Sequence, residues 1–302
     1  MNSALEINNV TKRIGEKLIL NNVTLRIGKG RFMGIVGPNG AGKTTLLKVI
    51  TQLIPPSRGE VVFGSNRNQE LSKLLEQVGS LIESPEYFDF LTCREVLTVR
   101  CRVKGIRKRN AGEEVLRVSN LCGITGYLDR KCGHLSTGMK QKLALAVAFV
   151  GNPPFLVLDE PLSGIDLHSA SEILDILNSV KSMGETTAVV TFHEMEGILE
   201  LMDDVAFMVD GKVAQVLSRD RDNDYFCLEA PEKPAGYEAD RVSATSDKRG
   251  VSWLVRVSRN NLEDGFPADL LTIPGLTGLW RCNPIQVYYR KFLAEYYGRE
   301  KQ

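Results

Sequence analysis

Residues 37–45 read Gly-Pro-Asn-Gly-Ala-Gly-Lys-Thr-Thr and constrain this chain more than any other stretch. They fit the pattern G-x-x-x-x-G-K-[ST], with Gly37, Gly42, Lys43 and Thr44 at its fixed places. The flanks fit too. Phe32 to Val36 reads as a short buried strand and Thr44 to Thr51 as the helix that follows it. Glycines let the backbone turn sharply and bring successive N–H groups close to a phosphate. The helix N-terminus adds unpaired donors and partial positive charge. Lys43 supplies a full charge to β- and γ-phosphates, and the Thr44 hydroxyl is a hard oxygen ligand for Mg²⁺. The stretch from Gly37 through Pro38, Asn39, Gly40, Ala41, Gly42, Lys43 and Thr44 to Thr45 is therefore a candidate nucleotide phosphate site.

The rest of the chain can house such a site. Its 302 residues suit one large domain plus a smaller one. Apolar and charged fractions of 43% and 25% are ordinary globular values, enough for a full core. The formal net charge of +1 gives no footprint for DNA or RNA, so no nucleic-acid partner is expected. No run of eighteen apolar residues occurs. Leu143 to Leu158 is broken by Gly151, Asn152, Pro153 and Pro154. The N-terminus lacks the basic-then-apolar form of a secretion signal. Six cysteines without zinc or thioredoxin spacing read as reduced thiols of a cytosolic protein.

Taken in order, residues 4–27 alternate apolar and polar, which predicts antiparallel strands, and Val61 to Phe63 predicts another. Asn68 to Gln77 reads as a short helix and Val78 to Ile82 as a strand. From about residue 86 to 150 the pattern is helical. Thr92-Cys-Arg-Glu95 is a capping box that opens one helix. Asn110 to Leu121 and a segment from Ser136 to Val150 follow. Phe155 to Glu160, Thr187 to Phe192 and Val205 to Val209 read as buried strands, interleaved with helices at Ser169–Met183 and Glu194–Leu201. Strands alternating with helices predict an α/β fold with a largely parallel sheet. Residues 219–250 are charged and aperiodic and read as a linker or irregular segment. Residues 251–302 read as a small α/β appendage, with strands at Val251–Val257 and Gly278–Arg281 and a helix at Pro284–Tyr297.

Four more elements complete a chemical set. Leu156-Val-Leu-Asp159-Glu160 is an apolar run ending in two carboxylates. Asp159 is placed to meet Mg²⁺ beside Thr44, and Glu160 to polarise an attacking water. Leu135-Ser136-Thr137-Gly138-Met139-Lys140-Gln141 puts Ser136 and backbone amides at a helix start, an anion site. Ser163-Gly164-Ile165-Asp166 follows the acidic pair, and His193 follows the apolar strand Ala188 to Phe192.

As an ordered set over residues 4 to about 217, these motifs resemble the ATP-binding subunit of an ABC transporter. The resemblance implies a P-loop NTPase core with a mixed, mostly parallel sheet and an N-terminal antiparallel part (1–218 in all), and a helical subdomain at about 86–150. It implies ATP hydrolysis with Mg²⁺ as cofactor. Ser136 and Gly138 match the family's signature, which binds the γ-phosphate held by the other protomer of a two-ATP dimer. That dimer is a homodimer or a heterodimer with a related ATPase. Asp166 falls in the family's D-loop, and His193 matches its switch histidine, a γ-phosphate contact. The helix Cys93 to Lys104 and the Tyr87-Phe88 loop fall where a separate membrane-spanning partner docks. Such a subunit is cytoplasmic and peripheral on the inner face of the membrane.

Two positions depart from the common family pattern. Glu83, in Leu81-Ile82-Glu83-Ser84-Pro85, replaces the usual glutamine, a spelling that resembles the bacitracin- and lantibiotic-type exporter ATPases. A carboxylate still offers Mg²⁺ a hard oxygen. Ile14 stands where relatives stack the adenine on an aromatic ring. A soluble ATPase of the same fold acting on ribosomes or DNA, and an importer ATPase, are the alternatives to an exporter subunit.

Overall fold

The structure is a computed structural model. It describes residues 3–64, 76–83, 89–192, 197–219, 223–234, 238–244 and 251–258, with positions 270, 273, 276, 278–282, 285, 287 and 288 near the C-terminus. The chain divides into two compact units, Met1–Val216 and Leu217–Gln302.

The first unit begins with two long strands, β1 (Ser3–Ile14) and β2 (Lys17–Gly28), paired antiparallel. β4 (Arg58–Phe63) lies on the other side of β1, so the antiparallel sheet runs β2-β1-β4. The alternation in the sequence has its ordinary cause. Leu5, Ile7, Val10, Leu20, Val23, Leu25 and Ile27 all bury one face in the same core as Ile35, Leu46 and Ile50.

The second sheet carries the chemistry. β3 (Phe32–Val36), β5 (Val78–Leu81), β6 (Phe155–Leu158), β7 (Thr187–Phe192), β8 (Asp204–Val209) and β9 (Lys212–Ser218) form it in the order β5-β6-β7-β3-β8-β9. β5, β6, β7, β3 and β8 are parallel in succession. β3 and β7 are buried at every residue, as strands covered on both faces must be. Asp210 and Gly211, both at positive φ, form the two-residue turn of a β8–β9 hairpin. The sheet is thus mixed and mostly parallel, as the sequence predicts. Two buried acids at the start of β8 are matched. Arg31 donates to both oxygens of Asp204 at 2.7 and 2.8 Å, and Asp203 accepts the Phe32 amide at 2.9 Å and faces Lys181 at 3.2 Å.

Helix α1 (Lys43–Ile50) follows β3. Between β5 and β6 the chain is helical: α2 (Cys93–Val103), α3 (Lys108–Leu121) and α4 (Thr137–Phe149). The capping box is formed. The Glu95 amide donates to the Thr92 hydroxyl at 3.2 Å, and the Thr92 amide donates to Glu95 Oε2 at 2.7 Å. α2 buries Cys93, Val96, Leu97 and Cys101. α5 (Leu167–Ser182) crosses from β6 to β7, and the short α6 (Ile198–Leu201) precedes β8. Most of the helices expected at 68–77 and 284–297, the start of that expected at 194–201, and the Tyr87-Phe88 loop lie outside the described residues.

The second unit corrects one expectation. Residues 219–250 are not a linker or irregular segment: they hold β10 (Asn223–Ala230) and β11 (Glu238–Ala244). With β12 (Val251–Ser258) and β13 (Gly278–Cys282) they make an antiparallel sheet ordered β11-β12-β10-β13. Phe226, Leu228, Ala239, Val255, Val257 and Leu270 form its core. The apolar run of β10 is short and flanked by charges, and its partners lie some thirty or more residues further along the chain (Phe226 faces Val255 and Arg281). Local periodicity does not register such pairing.

Candidate nucleotide site

The 37–45 loop joins the end of β3 to α1, as its sequence requires. Gly37 has no substitute. A Cβ there would sit 2.0 Å from the Met208 carbonyl oxygen, so the strand beside the loop excludes any side chain. Gly42 caps α1 in the left-handed region, with no side-chain cap bond and no acid in the helix's first turn. The Ala41 carbonyl accepts the Gly211 amide at 3.1 Å, which ties the loop to the β8–β9 turn.

Lys43 is buried at 6% exposure. Its ammonium donates to the Gly37 carbonyl at 2.8 Å and the Pro38 carbonyl at 3.2 Å. Burial lowers its pKa, and the nearby carboxylates of Glu160 and Asp159 oppose that shift. The loop lysine and the acidic pair predicted from separate stretches therefore act on one another. Two carboxylates against one buried ammonium leave local negative charge, which suits an added cation.

The acidic pair is held at the mouth of the sheet. The Asp159 amide donates to the Leu81 carbonyl at 2.7 Å, fixing it beside the end of β5. Glu160 has φ +44, an uncommon value for a residue with a side chain. Its amide reaches the Thr191 hydroxyl at 2.9 Å and the Thr191 carbonyl at 3.2 Å. The same hydroxyl donates to Asp159 Oδ1 at 2.5 Å. Thr191 is fully buried, and the sequence reading overlooked it. Its signal was a hydroxyl near the end of a buried strand, after the apolar run Ala188-Val189-Val190.

Glu83 follows β5 by two residues, at φ +62, and accepts Lys48 Nζ at 2.5 Å. Thr44 stands one turn before Lys48 on α1. Ile14 ends β1 with 56% of its surface exposed, the condition for an apolar contact to an incoming base. His193 lies outside the described residues, one position past β7.

Ser136 and Gly138 sit at the N-terminal end of α4. Ser136 is its N-cap and accepts the Met139 amide at 3.3 Å, which leaves its O–H to donate. Gly138 abuts α5. A Cβ there would lie 2.3 Å from Ser169 Oγ. Asp166 caps α5, accepting the Ser169 amide at 3.0 Å and its hydroxyl at 2.8 Å, and these bonds hold its carboxyl below the usual range. Gln141 joins the two regions: its Nε2 donates to the Pro161 carbonyl at 2.8 Å, next to the acidic pair.

A glycine-rich loop between a buried parallel strand and a helix, with its lysine beside two carboxylates that follow β6, the next strand but one, defines a P-loop ATPase core. Residues 20–163 match the ABC transporter family. The bacitracin transport ATP-binding protein BcrA of Bacillus licheniformis is 31% identical over 221 residues, 73% of this chain and 71% of that one. The lantibiotic transport ATP-binding protein SrtF of Streptococcus pyogenes is 32% identical over 210 residues, 69% and 88% of the respective chains. A solved dimeric, post-hydrolysis ATP-binding cassette with ADP and Pi is similar at a TM-score of 0.64 and 26% identity, covering 72% of this chain and 99% of that one. The chain belongs to the ABC transporter family. It is an ATP-binding subunit of that family, with ATP hydrolase activity.

Proposed function

We propose that this chain drives an exporter: it hydrolyses ATP for a separate membrane-spanning partner, as one half of a dimer closed over two ATPs. The observation that carries the exporter assignment is Glu83 at the position of the usual glutamine, in a chain whose relatives are named for bacitracin and lantibiotic transport. Among the described residues no helix is long and apolar enough to cross a membrane, which fits a partner that supplies the span.

In this reading the amides of residues 37–45 and Lys43 hold the phosphates, and Ile14 lies against the adenine. The ammonium that now faces the Gly37 and Pro38 carbonyls turns onto the phosphate oxygens. Mg²⁺ fits the donor set. It takes one or two carboxylates and a hydroxyl beside substrate phosphates, and here Asp159, Glu83 and Thr44 would hold it. Bound there, the ion neutralises charge on the transferred phosphoryl group. Glu160, anchored through its amide to Thr191, orients and polarises the attacking water, and His193 contacts the γ-phosphate. Ser136, with its O–H free to donate, and Gly138 reach the nucleotide of the other protomer, and Asp166 lies in the same dimer surface.

Two measurements test this. Glu160→Gln with Mg-ATP should run as a dimer in light scattering, and Ser136→Ala in that background should return it to monomer. The expressed protein should fractionate with membranes and co-purify with a hydrophobic chain. Cofractionation with ribosomes instead would end the exporter reading.

A further inference from the structure

Glu83 has a partner that no catalytic role requires. Lys48 Nζ donates to Glu83 Oε1 at 2.5 Å, across 35 positions of sequence. Lys48 lies four residues past Thr44 on α1, so the two share a helix face one turn apart. Glu83 continues the strand whose Leu81 carbonyl accepts the Asp159 amide. The carboxylate thus joins the helix that carries Thr44 to the strand end that holds Asp159.

Two properties make this bond reversible. Both side chains are partly exposed, Lys48 at 29% and Glu83 at 65%, and exposed ion pairs are weak. Glu83 also sits in the left-handed region, a sparsely populated state for a residue with a Cβ. An ammonium against a carboxylate oxygen repels a divalent cation approaching the same group. A glutamine at this position would carry no charge for Lys48 to neutralise.

We propose that Lys48 is a positioning residue that competes with the divalent cation for the Glu83 carboxylate. It holds the Glu83 carboxylate against α1 until a cation takes its place. The inference rests on the reading of Glu83 as a metal ligand.

The test measures Mn²⁺ binding by electron paramagnetic resonance, on the full chain carrying Glu160→Gln with saturating ATP. Lys48→Met should tighten apparent Mn²⁺ affinity by roughly two- to fivefold, the scale of one exposed ion pair. Glu83→Gln should weaken it, and Lys48→Met combined with Glu83→Gln should match Glu83→Gln alone. Unchanged or weakened affinity in Lys48→Met, with Glu83→Gln still weakening it, overturns the competition and leaves the ligand reading intact. If Glu83→Gln itself has no effect, the ligand reading fails and the competition fails with it. Lys48→Gln repeats the comparison should Lys48→Met fold poorly.

Discussion

The Thr191 hydroxyl donates to Asp159 Oδ1 at 2.5 Å and accepts the Glu160 amide at 2.9 Å. One buried side chain on β7 thereby holds the Asp159 carboxylate and the Glu160 backbone, the two acidic residues that follow β6. Thr191→Val keeps the shape and removes both bonds. The Glu160 amide retains the Thr191 carbonyl, so the fold should survive with a loss of about 1–2 kcal/mol. ATPase turnover should fall by roughly tenfold or more, as when an orienting partner of a ligand is lost. Thr191→Ser should restore most of it. Thermal unfolding and turnover measured together separate the two effects.

The contact between Gly138 and Ser169 should behave as a lock and key. Gly138→Ala places a Cβ 2.3 Å from Ser169 Oγ and 2.7 Å from its Cβ, so the ends of α4 and α5 must part. About 1–3 kcal/mol of destabilisation is expected. Ser169→Ala should not relieve it, because the Cβ remains. Ser169→Gly should, and the double variant should be more stable than additivity of the single ones allows. Denaturant unfolding of the four proteins completes the cycle.

How much of this was readable beforehand follows from distance along the chain. The 37–45 loop and the Thr92–Glu95 box are local, so their spelling gives their geometry. The approach of Lys43 to Asp159 and Glu160 was readable through the alternation of strands and helices, which brings the ends of parallel strands to one edge. The sheet of the second unit was not, because β10 finds its partners only at β12 and β13. The Lys48–Glu83 bond was equally hidden: Glu83 reads as a metal ligand, and nothing in the sequence pairs it with a helix lysine 35 positions away. Ser136 was read as an anion ligand alone, whereas the folded chain also spends it on capping α4.

Lys104 gives a pH dependence of stability. Its ammonium donates to the Glu76 and Val78 carbonyls at 2.7 and 2.9 Å, holding the end of α2 to β5. Burial, helped by the charge of Arg100, pushes its pKa down from 10.5 to about 8. The folded protein therefore loses this proton above about pH 8, while the unfolded chain keeps it to about pH 10.5. Between those values the unfolded state binds more protons, so this group's contribution to stability rises with pH. It is fully present above 10.5 and lost as pH falls through 8. The stability of the wild type relative to Lys104→Met should thus be greater at about pH 10 than at about pH 7. Equal differences at both would show that the amine titrates normally.

The outer face of α2 can be probed through its thiols. Cys93, Cys101, Cys122, Cys132 and Cys227 are buried and form no disulfide, and burial holds the Cys93 thiol up at about 11 and that of Cys122 at about 12. In a Cys282→Ser background, native protein should take up maleimide slowly at neutral pH. Val99 and Val103, one turn apart on α2, are 51% and 68% exposed. Val103→Cys should label rapidly, with no loss of stability, because its side chain packs on little. If α2 is the docking surface for the membrane-spanning partner, labelling of Val103→Cys should slow severalfold in membranes holding both chains and recover when the partner is omitted. Unchanged labelling in the presence of an active partner would place the docking surface elsewhere on the subunit.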